Sequence, residues 1–178
     1  DFVKSIEDGT GMDLTQFRRW YSQAGTPKVM AQLEHAGNSA TLKLSQTIPA
    51  TPGQPDKKPM PIPLKVALFD RQSGENTGEE LIVLDQDSAM FTFDGFAQKP
   101  VLSINRTFSA PVSIERDVSR DDLVFLAAQD DDPFARYEAM QELMTGYPVG
   151  AVTGDLDDTG CKAARGDIAQ AMKSVIED

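Results

Sequence analysis

Two changes in the hydrophobic period divide the chain into three regions. Over residues 1–26 the period is helical: Leu14, Phe17, Arg18 and Tyr21 recur at the spacing of one helix face, with Trp20 beside them. Asp13 reads as the N-cap of that helix. Gly25 and Pro27 read as its stop, because glycine accepts the left-handed turn that follows a helix and proline cannot continue one. Asp1-Phe2-Val3-Lys4-Ser5-Ile6 and Met172 to Asp178 each look like an amphipathic helix cut in mid-course, as in a fragment. Residues 27–117 switch to strand logic. Val29 to Glu34 and Ala40 to Ser45 flank Gly37-Asn38, a hairpin turn, and Thr41 to Gln46 alternates polar and apolar with the period of a half-buried strand. Pro49 to Pro63 reads as a long loop. Further strands are predicted at Leu64–Phe69, Leu81–Leu84, Met90–Phe93, Val101–Asn105 and Val112–Glu115, separated by Gly74 to Gly78, Asp94-Gly95, Pro100 and Pro111.

From residue 118 the helical period returns. Ser119-Arg120-Asp121-Asp122 resembles a capping box, and Asp132-Pro133 is a start signal with proline at the first helical position. Phe134, Tyr137, Met140, Leu143 and Met144 mark one face of that helix. A last helix is predicted from near Asp158, with Ile168, Met172, Val175 and Ile176 on its buried side. Seven or eight short strands without a crossover helix between them exclude a βαβ sheet. The fold class is therefore mainly β with flanking α: an immunoglobulin-like antiparallel β-sandwich, preceded by a short helical segment and followed by helices. The domains are expected at 1–26, 27–117 and 118–178.

Charge and composition narrow the function more than the fold. The 178 residues carry 17 basic and 28 acidic side chains, a formal net charge of −11. Phosphate backbones and anionic bilayers both require clustered Lys and Arg, so neither nucleic acid nor a membrane is an expected partner. A single cysteine, Cys161, excludes an internal disulfide and points to a reducing, cytoplasmic setting. Neither a signal peptide nor an apolar run of membrane-spanning length is read in the sequence.

The candidate chemistry is thin. His35 is the sole histidine, so a His-Glu-x-x-His zinc helix and the usual Cys/His structural zinc sites are both out of reach. With no Gly-x-Ser-x-Gly elbow, His35 reads as a surface or edge side chain. Asp155, Asp157 and Gly160 imitate the first half of a calcium loop, but Gly166 stands where a bidentate glutamate is needed, and a capped helix start accounts for the acids. Asp130-Asp131-Asp132 reads as a solvated acidic turn. Asn105-Arg106-Thr107 fits a glycosylation sequon, relevant only to a secreted protein. Gly9-Thr10-Gly11 is too short for a phosphate loop, and Cys161 reads as a structural thiol. The sequence accordingly offers no catalytic, cofactor-binding or metal-ligating residue.

The stretch Asp13 to Pro27 (DLTQFRRWYSQAGTP) resembles the end of the catalytic domain in bacterial aminopeptidase N. Thr47 to Pro52, Pro61 to Leu64, Phe108 to Val112 and Asp132 to Ala139 resemble the same family in the same order. The resemblance implies a parent thermolysin-like zinc aminopeptidase, a peptide hydrolase removing N-terminal residues. None of its zinc-binding or catalytic motifs occurs here. It further implies that residues 1–26 are the tail of the catalytic domain, 27–117 the third (sandwich) domain, and 118–178 the first helices of the C-terminal domain. The expected role is a non-catalytic interdomain spacer with no cofactor of its own, zinc belonging to the parent. Its expected partners are the catalytic and C-terminal helical domains of the same chain, with peptide substrate reached only through the parent. A free-standing sandwich module binding protein or carbohydrate is the alternative. It would need an exposed aromatic platform, and the loops at 49–60 and 71–79 contain no aromatic residue.

Overall fold

The computed structural model describes residues 2–177. Helix α1 (Phe2–Thr10) and a one-turn helix α2 (Arg19–Ser22) precede seven strands: β1 (Lys28–Ala36), β2 (Ser39–Thr47), β3 (Ile62–Phe69), β4 (Glu80–Leu84), β5 (Ser88–Asp94), β6 (Val101–Ile104) and β7 (Ser113–Arg116). A single 3₁₀ turn, Arg106–Phe108, lies between β6 and β7. Helices α3 (Arg120–Gln129), α4 (Pro133–Thr153) and α5 (Asp158–Glu177) complete the chain. The strands form two sheets, ordered β5-β2-β1-β7 and β4-β3-β6. This is the immunoglobulin-like arrangement that the strand pattern predicts.

Local chemistry explains most of these elements. β1 and β2 pair antiparallel up to Ala36 opposite Ser39, which leaves Gly37-Asn38 as a two-residue turn; Gly37 sits at φ +61°, where glycine carries no side-chain penalty. Along β2 the alternation buries Ala40, Leu42, Leu44 and Gln46 on one face. β7 pairs with β1 in parallel, Lys28 opposite Ser113 through Ala31 opposite Arg116. Period-2 patterning is the same for either direction, so the sequence carries no sign of this one parallel pair. Pro63 falls inside β3, a middle strand. The β3–β6 ladder runs only from Val66 to Phe69, so the missing N–H of Pro63 interrupts none of its hydrogen bonds.

Three expectations about helices are corrected. Asp13 caps no helix: its carboxylate accepts the Thr15 amide at 2.9 Å in a local turn, and only Arg19–Ser22 closes into a helix. On α4 the buried side chains are Ala135, Ala139 and Leu143, with Gly150 further along, while Tyr137 and Met144 are exposed. On α5 the buried pair is Ala164 and Ala171. Met172, Val175 and Ile176 are exposed, Ile176 by 81 %. Small residues allow helix backbones to approach, and the larger side chains one step around each helix are left on its outer flank. α4 also runs through Pro148, giving up one backbone hydrogen bond there, and ends at Gly154 with φ +83°.

The chain forms two compact units, each assembled from separate stretches. The first comprises residues 1–64, 81–97 and 110–116; the second comprises 65–80, 98–109 and 117–178. The core of the first contains Val29, Leu42, Leu44, Met60, Ile62 and Leu64, all at most 2 % exposed. In the second, Phe69 and Val101 from the strands pack with Leu123, Leu126, Ala139 and Leu143 from the helices, and Phe69 meets Phe125 edge-on at 5.8 Å. Fully burying a side chain such as Leu126 contributes roughly 1.5–3 kcal/mol. No helix among the described residues is long and apolar enough to cross a membrane.

Candidate functional site: a buried polar pin in each unit

In the first unit the pin is Gln46. The β2 alternation carries its side chain inward, 5 % exposed, where an amide must be fully hydrogen-bonded to avoid a large desolvation cost. The two hydrogens on its Nε2 are shared among the carbonyls of Met60 (2.9 Å), Gln86 (2.9 Å) and, more distantly, Leu84 (3.2 Å), and its Oε1 accepts the Met60 amide at 2.8 Å. One side chain thereby ties β2 to the proline loop and to the β4–β5 turn. The same period-2 count that placed Leu42 and Leu44 inside also places Gln46 there, and this is the signal that could have singled it out.

In the second unit the pin is Arg106, 4 % exposed. Its Nη1 reaches Asp130 at 3.2 Å, its Nη2 reaches Asp131 at 2.6 Å, and its Nε reaches Glu79 at 3.3 Å; Lys65 holds Glu79 from the other side at 2.8 Å. The acidic triplet is therefore not a solvated turn. Asp130 and Asp132 are buried, and Asp131 alone remains largely in water. Asp132 accepts the Ala135 amide at 2.8 Å as the N-cap of α4, and both its oxygens accept the Thr107 amide at 3.0–3.1 Å. The turn so gripped is strained: Asn105, Thr107 and Phe108 all have φ between +53° and +59°, a region costly for a β-branched residue such as Thr107. Asn105 is 5 % exposed and accepts a hydrogen bond from the Ser109 hydroxyl, so the sequon is folded inward.

Burial pushes the Asp130 carboxyl above the usual carboxylate range, against the pull of Ser103, the Asp132 amide and Arg106. Partial burial acts the same way on Asp131, but the hydrogen bond and charge of Arg106 outweigh it and hold Asp131 below its ordinary value. For Glu79 the Lys65 hydrogen bond leads; with the Lys65 charge and Arg106 it overcomes desolvation and lowers the carboxyl. Burial would lower Arg106, yet its carboxylate partners raise it further, so it stays charged.

The remaining residues singled out in the sequence do not converge. His35 is partly buried on β1 with Nε2 2.8 Å from the Phe96 carbonyl. Asp157 accepts the Gly160 amide at 2.7 Å, the geometry of a helix start, and Asp155 accepts the Thr153 hydroxyl at 2.6 Å. The Cys161 thiol lies 3.9 Å from the Leu156 carbonyl. Thr10 bonds back to Ile6 within α1. Among the described residues no three His, Cys, Asp or Glu side chains are grouped to hold a metal ion. The structure does join two motifs that looked unrelated, the sequon and the acidic triplet, into the Arg106 pin.

The family described as a domain of unknown function (DUF3458) with an Ig-like fold matches residues 25–117, and a second, DUF3458_C, described as ARM repeats, matches residues 120–178. Aminopeptidase N of Escherichia coli (strain K12) is 36 % identical over 156 residues, covering 83 % of this chain. Aminopeptidase N of Caulobacter vibrioides is 37 % identical over 161 residues, covering 89 %. The chain spans only 18 % and 19 % of the length of these relatives. A solved structure of Legionella pneumophila aminopeptidase A in complex with aspartic acid matches with a TM-score of 0.76 at 27 % identity, over 92 % of this chain and 19 % of that one. The chain therefore belongs to the DUF3458 Ig-like family and is homologous to the Ig-like and helical region of bacterial aminopeptidase N.

Proposed function

We propose that this chain is a non-catalytic scaffold within a longer zinc-dependent aminopeptidase, holding a catalytic domain and a helical domain in fixed relation. In that reading residues 1–26 supply the connection to the catalytic domain, 27–117 the spacer, and 118–178 the first helices of the C-terminal domain. The observation that carries the reading is how the polar side chains are spent. Among the buried ones, Gln46, Arg106, Asp130 and Asp132 bond to backbone and to one another and lock segments together. Spacers act through position: a wall displaced by about 1 Å can cost on the order of 100-fold in rate without touching the chemistry. Zinc and the peptide substrate belong to the parent, because one histidine cannot build its metal helix. Repeat helices bury their flanks against neighbours. The groove of about 450 Å³ lined by Tyr137, Met140, Met172, Val175 and Ile176 is accordingly assigned to the next helices of the parent. The test is hydrolysis of an alanyl anilide with excess zinc and a chelator control. The expected result is no turnover; chelator-sensitive turnover that persists in His35→Ala would overturn the reading.

A further inference from the structure

We propose that residues 14–24 form a strap that latches onto the proline segment 58–61, making the N-terminal approach to the Ig-like fold a rigid joint instead of a hinge. The strap is two-faced by spacing. Gln16, Arg19, Trp20 and Gln23 stand at i, i+3, i+4 and i+7, one side of a helical path, and all four end in N–H donors. Opposite them lies Lys58-Pro59-Met60-Pro61, where two prolines lack the N–H that a ladder strand would need. Its carbonyls are taken by side chains. Arg19 donates to Pro59, the Trp20 indole to Pro61 at 3.0 Å, and Gln23 to Lys58 at 2.8 Å while accepting the Lys58 amide at 2.8 Å. The Gln16 side-chain amide donates closely to the Asp85 carbonyl and reaches Pro59 only at 3.5 Å.

A second layer closes behind it. Gln54 donates to the Ser22 carbonyl at 3.0 Å and accepts the Ala24 amide at 2.8 Å, and the Lys57 ammonium donates to the Ala24 carbonyl at 2.8 Å. Gln46 meanwhile holds Met60 by both its amide and its carbonyl from the core side. The proline segment is thus gripped from both sides, and the strap lifts only if several hydrogen bonds open together. Gly25, at φ +103°, and Pro27 look like a flexible boundary in sequence, yet the chain on both sides of them is tied into the same unit. The consequence for domain placement rests on the scaffold reading; the latch is a property of this chain alone.

Trp20 is the sole tryptophan, so its indole N–H reports the latch directly. In the intact chain, hydrogen exchange at that N–H is expected to be slowed by about 100-fold or more, since opening requires breaking several bonds at once. Trypsin is expected to cut after Arg18 and Arg19 only at the rate of global unfolding. The Gln16→Ala/Gln23→Ala variant is expected to speed Trp20 exchange about 10-fold while leaving the amides of Ala31 and Leu42 protected. Free-indole exchange in the unaltered chain, or ready cleavage after Arg18 with β1 and β2 still protected, would overturn the proposal; so would unchanged Trp20 exchange in the variant. Peptidase turnover would sink the scaffold reading and leave this result untouched.

Discussion

Replacing Arg106 by methionine keeps much of its volume but strands the buried Asp130 carboxylate without its cation, and removing one partner of a buried ion pair typically costs about 3–5 kcal/mol. Against a typical domain stability of roughly 5–15 kcal/mol, Arg106→Met is expected to lower the urea midpoint sharply. Arg106→Lys, which keeps the charge and loses the fork that reaches Asp130, Asp131 and Glu79 together, is expected to lose less. The same cluster sets a pH signature. Asp130 titrates above its ordinary value in the folded chain, so the folded state binds that proton more tightly. Its contribution is greatest below the ordinary carboxylate pKa of about 4 and is lost as pH rises through the raised folded value. Asp131 and Glu79 are depressed and act oppositely: their stabilisation is present above the ordinary range and lost as pH falls through their lowered values. Asp130→Asn removes the first contribution. Plotted from the ordinary carboxylate pKa of about 4 upward, its stability is expected to slope upward with pH more than that of the unaltered chain, by at most ~1.4 kcal/mol per pH unit. Denaturant titration across that range measures both slopes.

At the scale of elements, two helix starts offer a controlled comparison. Ser119 caps α3 in a capping box, its hydroxyl accepting the Asp122 amide at 3.1 Å. Ser119→Ala is expected to cost ~1 kcal/mol, the ordinary price of an exposed cap. Asp132 caps α4 but also holds the strained Thr107 amide, so Asp132→Ala is expected to cost more, by about the 1–3 kcal/mol of an abandoned buried donor. Equal losses in thermal unfolding would mean that the turn at 105–108 relaxes freely. Both caps were legible in the sequence because each is a local pattern of one to four residues, as were the Gly37-Asn38 turn and the alternation of β2. What was not legible is non-local. The acidic triplet looked solvated because its cation lies 24 residues away from Asp130, across β7 and α3. The helix predicted from Asp13 onward is only partly formed. The amides of Arg18 to Gln23 reach back three or four residues in a mixed ladder, of which only Arg19–Ser22 closes as a helix, and its side chains are set by carbonyls of a loop about 40 residues downstream. The stripes on α4 and α5 are right for Leu143, which is buried, and for Met140 and Ile168, which pack against the same core. Apolar periodicity weights large side chains, however, and so took in the exposed Tyr137, Met144, Met172, Val175 and Ile176 and passed over the buried Ala135, Ala139, Ala164 and Ala171.

Across the whole molecule two forces oppose each other. The net charge of −11 makes copies of the chain repel, while Tyr137, Met172, Val175 and Ile176 leave an apolar flank along α4 and α5, and Phe2 and Tyr21 add apolar surface in the first unit. Which one wins depends on screening. At 0.01 M salt the Debye length is about 30 Å and repulsion is felt across a domain; at 1 M it is about 3 Å, and only apolar contact remains. The chain is therefore expected to sediment as a monomer at low salt and to associate as salt rises, the reverse of a complex held by charge pairs. Met172→Lys/Ile176→Lys should abolish that association without moving the thermal midpoint, because both side chains already stand in water: they are 47 % and 81 % exposed. If the variant still associates in high salt while the Phe2→Ser/Tyr21→Ser variant does not, the adhesive surface lies in the first unit, and the α4–α5 flank loses its claim to be the face on which further helices stack.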